Sequence, residues 1–531
     1  MLRKIVLLFF TLCFSLTLVF AGGRTQAGTG DASRVNESFN PTGYPISKTP
    51  ITLTFAADNG RILGDPDKLD MMIRLADITN ITVKWVLLES AQIDVYYAGG
   101  DFPDLFYSTA NSQRIQTYGV EGGLFSDWNK YLSYMPNLSW LFEAEPFTRK
   151  IVTEMNGEIY ALPSMVNAST NVTTRFMVRT DYLDEMGLAL PGTIDEFYNA
   201  CRMALDRGLT KGYAPLVSSF SFYRDRVEPF LFASFGEFSD PGFTNDKNGK
   251  VVYNKISEQY KNYLKFMNRL YTEKLFDNEY LTMDLATQNS REKNGQALFG
   301  TDMSVLDPED FPDGQVHLDQ VPPLVSQYTN TRKTLGYNTY NYAGGLMPKS
   351  NRYTEETARY VDMWYSRDEI VPGSGINNES FVYGILGRDY DFADNGQTLI
   401  QRVPDGINLA HGNYLMTYVM PSAAFYFWDK FIIGGTPNSL ARQLGYVKNN
   451  IPYQELRFPI NFMKYNPNEV EVRDLYTTEI ETYTAEMRAR FIAGIADIDR
   501  EWDNYVRTVN SMHLNDVLAA YQSAYDRWNS N

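Results

Sequence analysis

Three histidines stand in 531 residues: His317, His411 and His513, each far from the others along the chain. Imidazole is the usual general base and metal ligand near neutral pH, and a set this scattered builds neither. No HExxH, no GxSxG and no pair of CxxC motifs occurs, so the spacings that place a zinc-bound water, an elbow serine or a cysteine cluster are absent. Gly373-Ser374-Gly375 lacks the third glycine of a dinucleotide loop, and no GxxxxGK precedes a Ser or Thr. "TNDKNGK" at 244–250 comes nearest to a calcium loop. With Gly249 as sixth position, Thr244 falls where an Asp belongs and Lys255 where a bidentate Glu belongs. The same residues make a hairpin turn at Asn248-Gly249 before the strand-like "KVVY". Carboxylates are plentiful, so an acid pair of the glycosidase kind stays open. No cofactor and no metal is expected.

Cys13 and Cys201 are the two cysteines. Cys13 lies in "MLRKIVLLFFTLCFSLTLVFA", where Arg3 and Lys4 precede an apolar run that ends in Val19-Phe20-Ala21, the pattern of a cleavable signal peptide over 1–21. Cleavage leaves Cys201 alone, and no intrachain disulfide can form. With Phe197 four residues before it and Leu205 four after, Cys201 is expected to be a buried core thiol. Gly22-Gly23 stand where a lipidated cysteine would follow the apolar run. The mature chain is therefore expected to be periplasmic, free of lipid and not membrane-spanning. Its net charge of −16 becomes two units more negative when Arg3 and Lys4 leave, which disfavours nucleic acid as a partner.

The elements that must position any functional group follow from periodicity. With 44% apolar and 21% charged residues, the chain can bury a sizeable core. Residues 22–45 read as a flexible leader. "ITLTFAAD", "NITVKWVLLE" and "DFPDLFYSTAN" read as strands, with a helix in "DPDKLDMMIRLADIT" capped near Asp65. Strands alternating with helices predict an α/β fold with a largely parallel sheet. "TRFMVRTDYLDEMGL" resumes the pattern, and Asp181 and Thr193 are expected to be helix caps, Thr193 closing a capping box with Glu196. A one-sided apolar spacing predicts helices over 257–271 and in the two closing segments, where Trp502 and Trp528 should pack inward.

The order "PTGYPISKTPITLTF", "GGDFPDLFY", "NGEIYALPS", "FMVRTDYLDEMGL", "KNYLKFMNRLYTEKLFDNEY", "AGGLMPKSNRYTEETARYVDMWYS", "YGILGRDYDFADNGQTLI" and "FIAGIADIDREWDNYVRTVNSM" resembles the extracellular solute-binding proteins of carbohydrate ABC importers, in particular their LplA-like subgroup, over about 41–528. The resemblance implies a two-lobed α/β periplasmic-binding-protein fold (type II) with a hinge and an interlobe cleft. It puts the first lobe at 46–165 plus about 340–380 and the second at 166–339 plus about 381–531. The crossings between them are expected near 162–175, 335–345 and 370–390. It also implies a monomer that delivers an oligosaccharide to ABC permease subunits, without catalysis. "DRGLTKGY" at 206–213 stands where some alginate-binding relatives carry a calcium loop, and has too few acidic oxygens for one.

A sugar presents C–H faces that flat rings cover and a rim of hydroxyls that polar side chains bond. The 37 Tyr, 32 Phe and 7 Trp therefore matter most beside polar residues at strand ends. Asp58 and Asn59 follow the first strand, and Tyr107, Ser108 and Asn111 the third. Phe222, Tyr223 and Arg224 lie in "SFSFYRDR", and Thr301 and Asp302 follow "ALFG". Within "MPSAAFYFW", Phe425 and Trp428 are the ring candidates, by similarity to a stacking segment of maltose-binding relatives. Four rings in a row cannot all face one way, so some of 425–428 must be core. Peptides and sugar acids remain alternative ligands, a secreted glycoside hydrolase an alternative activity, and a sensor partner an alternative role.

Overall fold

The computed structural model describes residues 38–530 except 101, 167–175, 220–226, 302, 337–339, 394–395, 397, 426, 429–431 and 434–435. Phe39–Asn531 form one unit, which carries every element below. The expected signal peptide, most of the leader, and Phe222, Tyr223, Arg224 and Asp302 lie outside the described residues.

Strand β1 (Ile51–Asp58) lies between β2 (Ile81–Leu88) and β3 (Leu105–Tyr107), and all three run parallel. Leu53, Phe55 and Ala57 of β1 bury with Leu69, Met71 and Leu75, the last two on helix α1 (Asp70–Thr79). Ala56 and Phe106 bury in a second cluster with Tyr97, Ile115 and Phe125. A parallel sheet covered on both faces needs such near-continuous apolar strands, which "TFAA" supplies. Ahead of α1 the chain makes a separate turn at Pro66–Lys68, where the Asp65 carboxylate accepts from the Asp67 N–H. The single helix expected there is thus two elements, with Asp65 capping the first.

Helix α2 (Pro146–Val152) leads to β4 (Leu162–Val166), and a second sheet follows. It consists of β5 (Met177–Arg179), β6 (Leu216–Val217), β7 (Phe299–Gly300) and β8 (Leu318–Gln320), in the order β8-β5-β7-β6. Strand β5 runs against both its neighbours while β6 parallels β7, so this sheet is mixed where a parallel one was expected. Helix α3 (Ile194–Asp206) opens on the capping box of Thr193 and Glu196 and buries Cys201, whose thiol pKa burial pushes up. Asp181 caps nothing: its carboxylate pairs with Arg179. Helix α4 (Glu258–Thr272) buries Tyr260, Tyr263, Leu264, Met267 and Leu270.

Strands β9 (Tyr340–Gly344) and β10 (Phe427–Trp428) return to flank β4, antiparallel and parallel to it respectively. Between them, residues 381–424 pack on the first sheet's elements: Arg388 pairs with Asp70 of α1, Met416 accepts from the Leu63 and Gly64 N–H groups, and Ser422 donates to the Arg61 carbonyl. Of the range 370–390 expected to hold the third crossing, residues 381–390 fall in that stretch. Beyond β10, Ile432–Ile433 pair in parallel with Thr398–Leu399, and the chain from Pro437 onward packs on the second sheet. Asn449 of α5 (Pro437–Asn449) donates to the Gln320 carbonyl of β8. Helices α6 (Pro467–Ile492), α7 (Ile498–Ser511) and α8 (Leu514–Ser530) close the fold, with Asn268 of α4 donating to the last carbonyls of α6 and both Trp502 and Trp528 buried. Among the described residues, no helix is long and apolar enough to cross a membrane.

Candidate functional site

In open α/β sheets the strand carboxyl ends leave backbone groups and short polar side chains facing a crevice. All three strands of the first sheet feed such a place. Asp58 ends β1, Ser90 lies two residues past β2, and Ser108 follows β3 directly. These three, with Arg61 and Arg114, line a cavity of about 290 Å³ whose apolar wall is Ile93.

Each polar group there is held. The Asp58 carboxylate accepts from the Ser90 hydroxyl and from the Gly60 N–H at 2.9 Å, and the Ser90 bond, with help from Arg61, holds its pKa below the usual value. Arg114 meets Asp94 through two nitrogens, at 2.7 and 3.0 Å, and donates to the Thr109 carbonyl at 2.8 Å. Arg61 donates to the Ser422 hydroxyl at 3.2 Å, and among the described residues no carboxylate lies in ion-pair range of it. Ser108 has φ +56°, a left-handed conformation that costs a non-glycine residue about 1 kcal/mol. Gly344 of β9 explains the close fit: a Cβ there would come within 2.3 Å of the Ser108 nitrogen.

Asp58 and Ser108 are thus the two candidates that the fold brings to one cavity. Asn59 is exposed and donates to Glu89 at 2.7 Å, and Asn111 accepts from the Arg114 N–H at 2.8 Å as a helix cap. Tyr107 is fully buried: alternation along β3 turns it to the face opposite Phe106, where it packs edge-on to Trp85 and Phe425. Its hydroxyl donates to the Ser422 carbonyl at 3.0 Å and accepts from the Ala424 N–H at 3.1 Å. Phe425 is wholly buried against Tyr107, Trp364 and Tyr365, a core ring and not a platform. Trp428 lies on β10 opposite Val166 of β4; its side chain is outside the described residues. On the second sheet, Thr301 is buried and shares its hydroxyl with Ser218 and Gln288, both at 3.3 Å.

Arg61, Ser90 and Arg114 were missed from the sequence. Strand-end logic applied to β2 as it was to β1 and β3 would have found Ser90; the two arginines are brought in by short turns that carry no periodic signal.

The cavity offers hydroxyls, one carboxylate and guanidinium groups at fixed positions, a set suited to hydrogen-bonding a polyhydroxylated ligand. No histidine lies in the lining of this cavity. His411 sits against the Asp389 carbonyl, while His317 and His513 face Asp313 and Asp516 on the surface. A larger groove, about 610 Å³, runs past Lys265 and residues 494–501. Among the described residues no strand end reaches it; Asp499 pairs with Lys265 at 2.6 Å and Asp497 caps the start of α7.

No family model matches the chain. It is 22% identical over 513 residues to the fructooligosaccharide ABC transporter substrate-binding protein FusA of Streptococcus pneumoniae serotype 4, covering 92% of both chains. It is likewise 22% identical to the lipoprotein LipO of Bacillus subtilis, over 84% of this chain and 86% of the other. Among solved structures it is similar to an HMO-binding, ABC-transporter-associated solute-binding protein of Bifidobacterium longum infantis, with a TM-score of 0.70 and 17% identity, covering 90% of this chain and 99% of that one. The fold is therefore the two-lobed α/β fold of solute-binding proteins.

Proposed function

We propose that this chain, a solute-binding protein of the carbohydrate ABC-importer type, captures an oligosaccharide between two lobes and hands it to a membrane permease. It is exported by its signal peptide, acts as a monomer and consumes no substrate. The observation that carries this reading is the convergence of all three parallel strands of the first sheet on one polar cavity, lined by Asp58, Arg61, Ser90 and Ser108, beside the strand β9.

Contacts along the chain support a revised division. The first lobe would comprise 46–166 with 340–425, the second 176–336 with 427–530, Ile432–Ile433 of the second staying paired with Thr398–Leu399 of the first, and β4, β9 and β10 would be the three crossings. Strands that run side by side can change their φ and ψ together, which is how hinges work. A ligand touching both lobes only in the closed form would shift the population by its differential affinity. Trp428, on the third crossing, remains the proposed stacking ring, and Phe222, Tyr223 and Arg224 the proposed contribution of the second lobe, together with Asp302.

A sugar acid is the second reading, favoured by one observation: Arg61 meets a serine hydroxyl and, among the described residues, no carboxylate in ion-pair range. Thermal melting of residues 22–531 against neutral and acidic oligosaccharides separates the two. Ligand at about 100 times its Kd adds ~2.7 kcal/mol. A shift with intact neutral glycan supports the main reading, a shift confined to acidic glycans the second, and cleaved glycan an enzyme instead.

A further inference from the structure

Lys464 lies in the segment between α5 and α6, and its ammonium donates to the Glu154 carboxylate and to the Tyr342 hydroxyl, both at 2.6 Å. Glu154 follows α2 on the first-lobe side, and Tyr342 is on β9, one of the three crossing strands. The cluster is buried: the Lys464 side chain is 15% exposed and that of Glu154 7%. Rings enclose it. Phe462 packs edge-on to Phe147 of α2 and to Tyr342, and Phe147 packs on Trp528 of α8. With the lobes divided as proposed above, this is the one ion pair among the described residues that joins them; every other described pair lies within a lobe.

We propose that Lys464, Glu154 and Tyr342 form a pivot pin: a buried ionic contact against the crossing strands that stays made while the lobes rotate, and so confines their motion to one axis. The inference rests on the two-lobed reading. Two physical arguments carry it. Displacement in a hinge rotation is smallest at the crossing strands, and Tyr342 is part of one, so the contact can survive the stroke. Breaking it would leave a charge buried without its partner, and a stroke that did so each time would oppose ligand-driven closure. Lys464 is a positioning residue on this account and touches no ligand.

The test needs no ligand, which separates its failure from failure of the transport reading. Cysteines introduced at the exposed positions Ile73 and Ile495, one per lobe, take a dye pair while the buried Cys201 stays unlabelled, and single-molecule energy transfer reads the interlobe distance distribution. Lys464→Met, similar in length and uncharged, is expected to broaden that distribution. Glu154→Gln should do the same, and serves where Lys464→Met fails to fold. Tyr342→Phe, which keeps the ion pair, should leave the distribution near that of the parent. A parental width in a folded Lys464→Met or Glu154→Gln variant overturns the pin, even where the melting temperature falls. Equal broadening in Tyr342→Phe overturns it too, since ring packing and not the ion pair would then set the axis.

Discussion

Arg61 and Tyr107 show how two polar side chains near one cavity divide the work. Arg61 reaches the cavity with a single described side-chain bond, to Ser422, so Arg61→Ala should leave the melting temperature nearly unchanged. Calorimetric titration with the cognate glycan should show affinity weakened roughly ten- to a hundredfold, the cost of a lost charged hydrogen bond. Tyr107→Phe should act the other way round. It strips the Ser422 carbonyl and the Ala424 N–H of their partner, and denaturant unfolding should register a loss of about 1–3 kcal/mol. Burial lowers the His411 pKa below the ordinary 6.5, its ring nitrogen meeting the Asp389 carbonyl. The folded pKa being the lower one, the unfolded chain binds more protons in the window just below pH 6.5, and stability is lost as pH falls through it. His411→Gln should show a flatter melting temperature across that window. At this scale the sequence was half legible. Polar residues after apolar runs identified Asp58 and Ser108, but not which way each side chain points: one step along β3 separates the buried Tyr107 from the cavity residue Ser108. The run at 425–428 fails for the same reason, since composition cannot say that Phe425 closes a core with Trp364 and Tyr365.

Elements were easier to read where a cap or a long period marked them. The Thr193–Glu196 box opens α3 where expected because both partners sit in the sequence at fixed spacing; Thr193→Ala should cost ~1 kcal/mol by chemical denaturation. The helices from 258, 498 and 514 follow their apolar faces. Strand β10 spans two residues, too short for any period to mark it in the sequence. Phe425 just before it anchors that strand to the first sheet, so Phe425→Ala should cost about 3–5 kcal/mol and loosen the strand with it. An acid at a helix start usually caps, which makes Asp181 read as one, but Arg179 two residues earlier claims its carboxylate.

For the whole molecule, alternation of strands and helices was enough for an α/β fold, whereas antiparallel β5 depends on long-range pairing that no local pattern encodes. The three strands proposed as crossings would give the proposed function its physical form: two bodies able to approach one another over a polar cavity with little change in either core. The central claim is that ligand closes them. Small-angle scattering of residues 22–531, with and without a glycan that raises the melting temperature, tests it most directly. A smaller radius of gyration is expected in the bound state, with the glycan recovered intact. An unchanged radius at saturating glycan would contradict capture by closure.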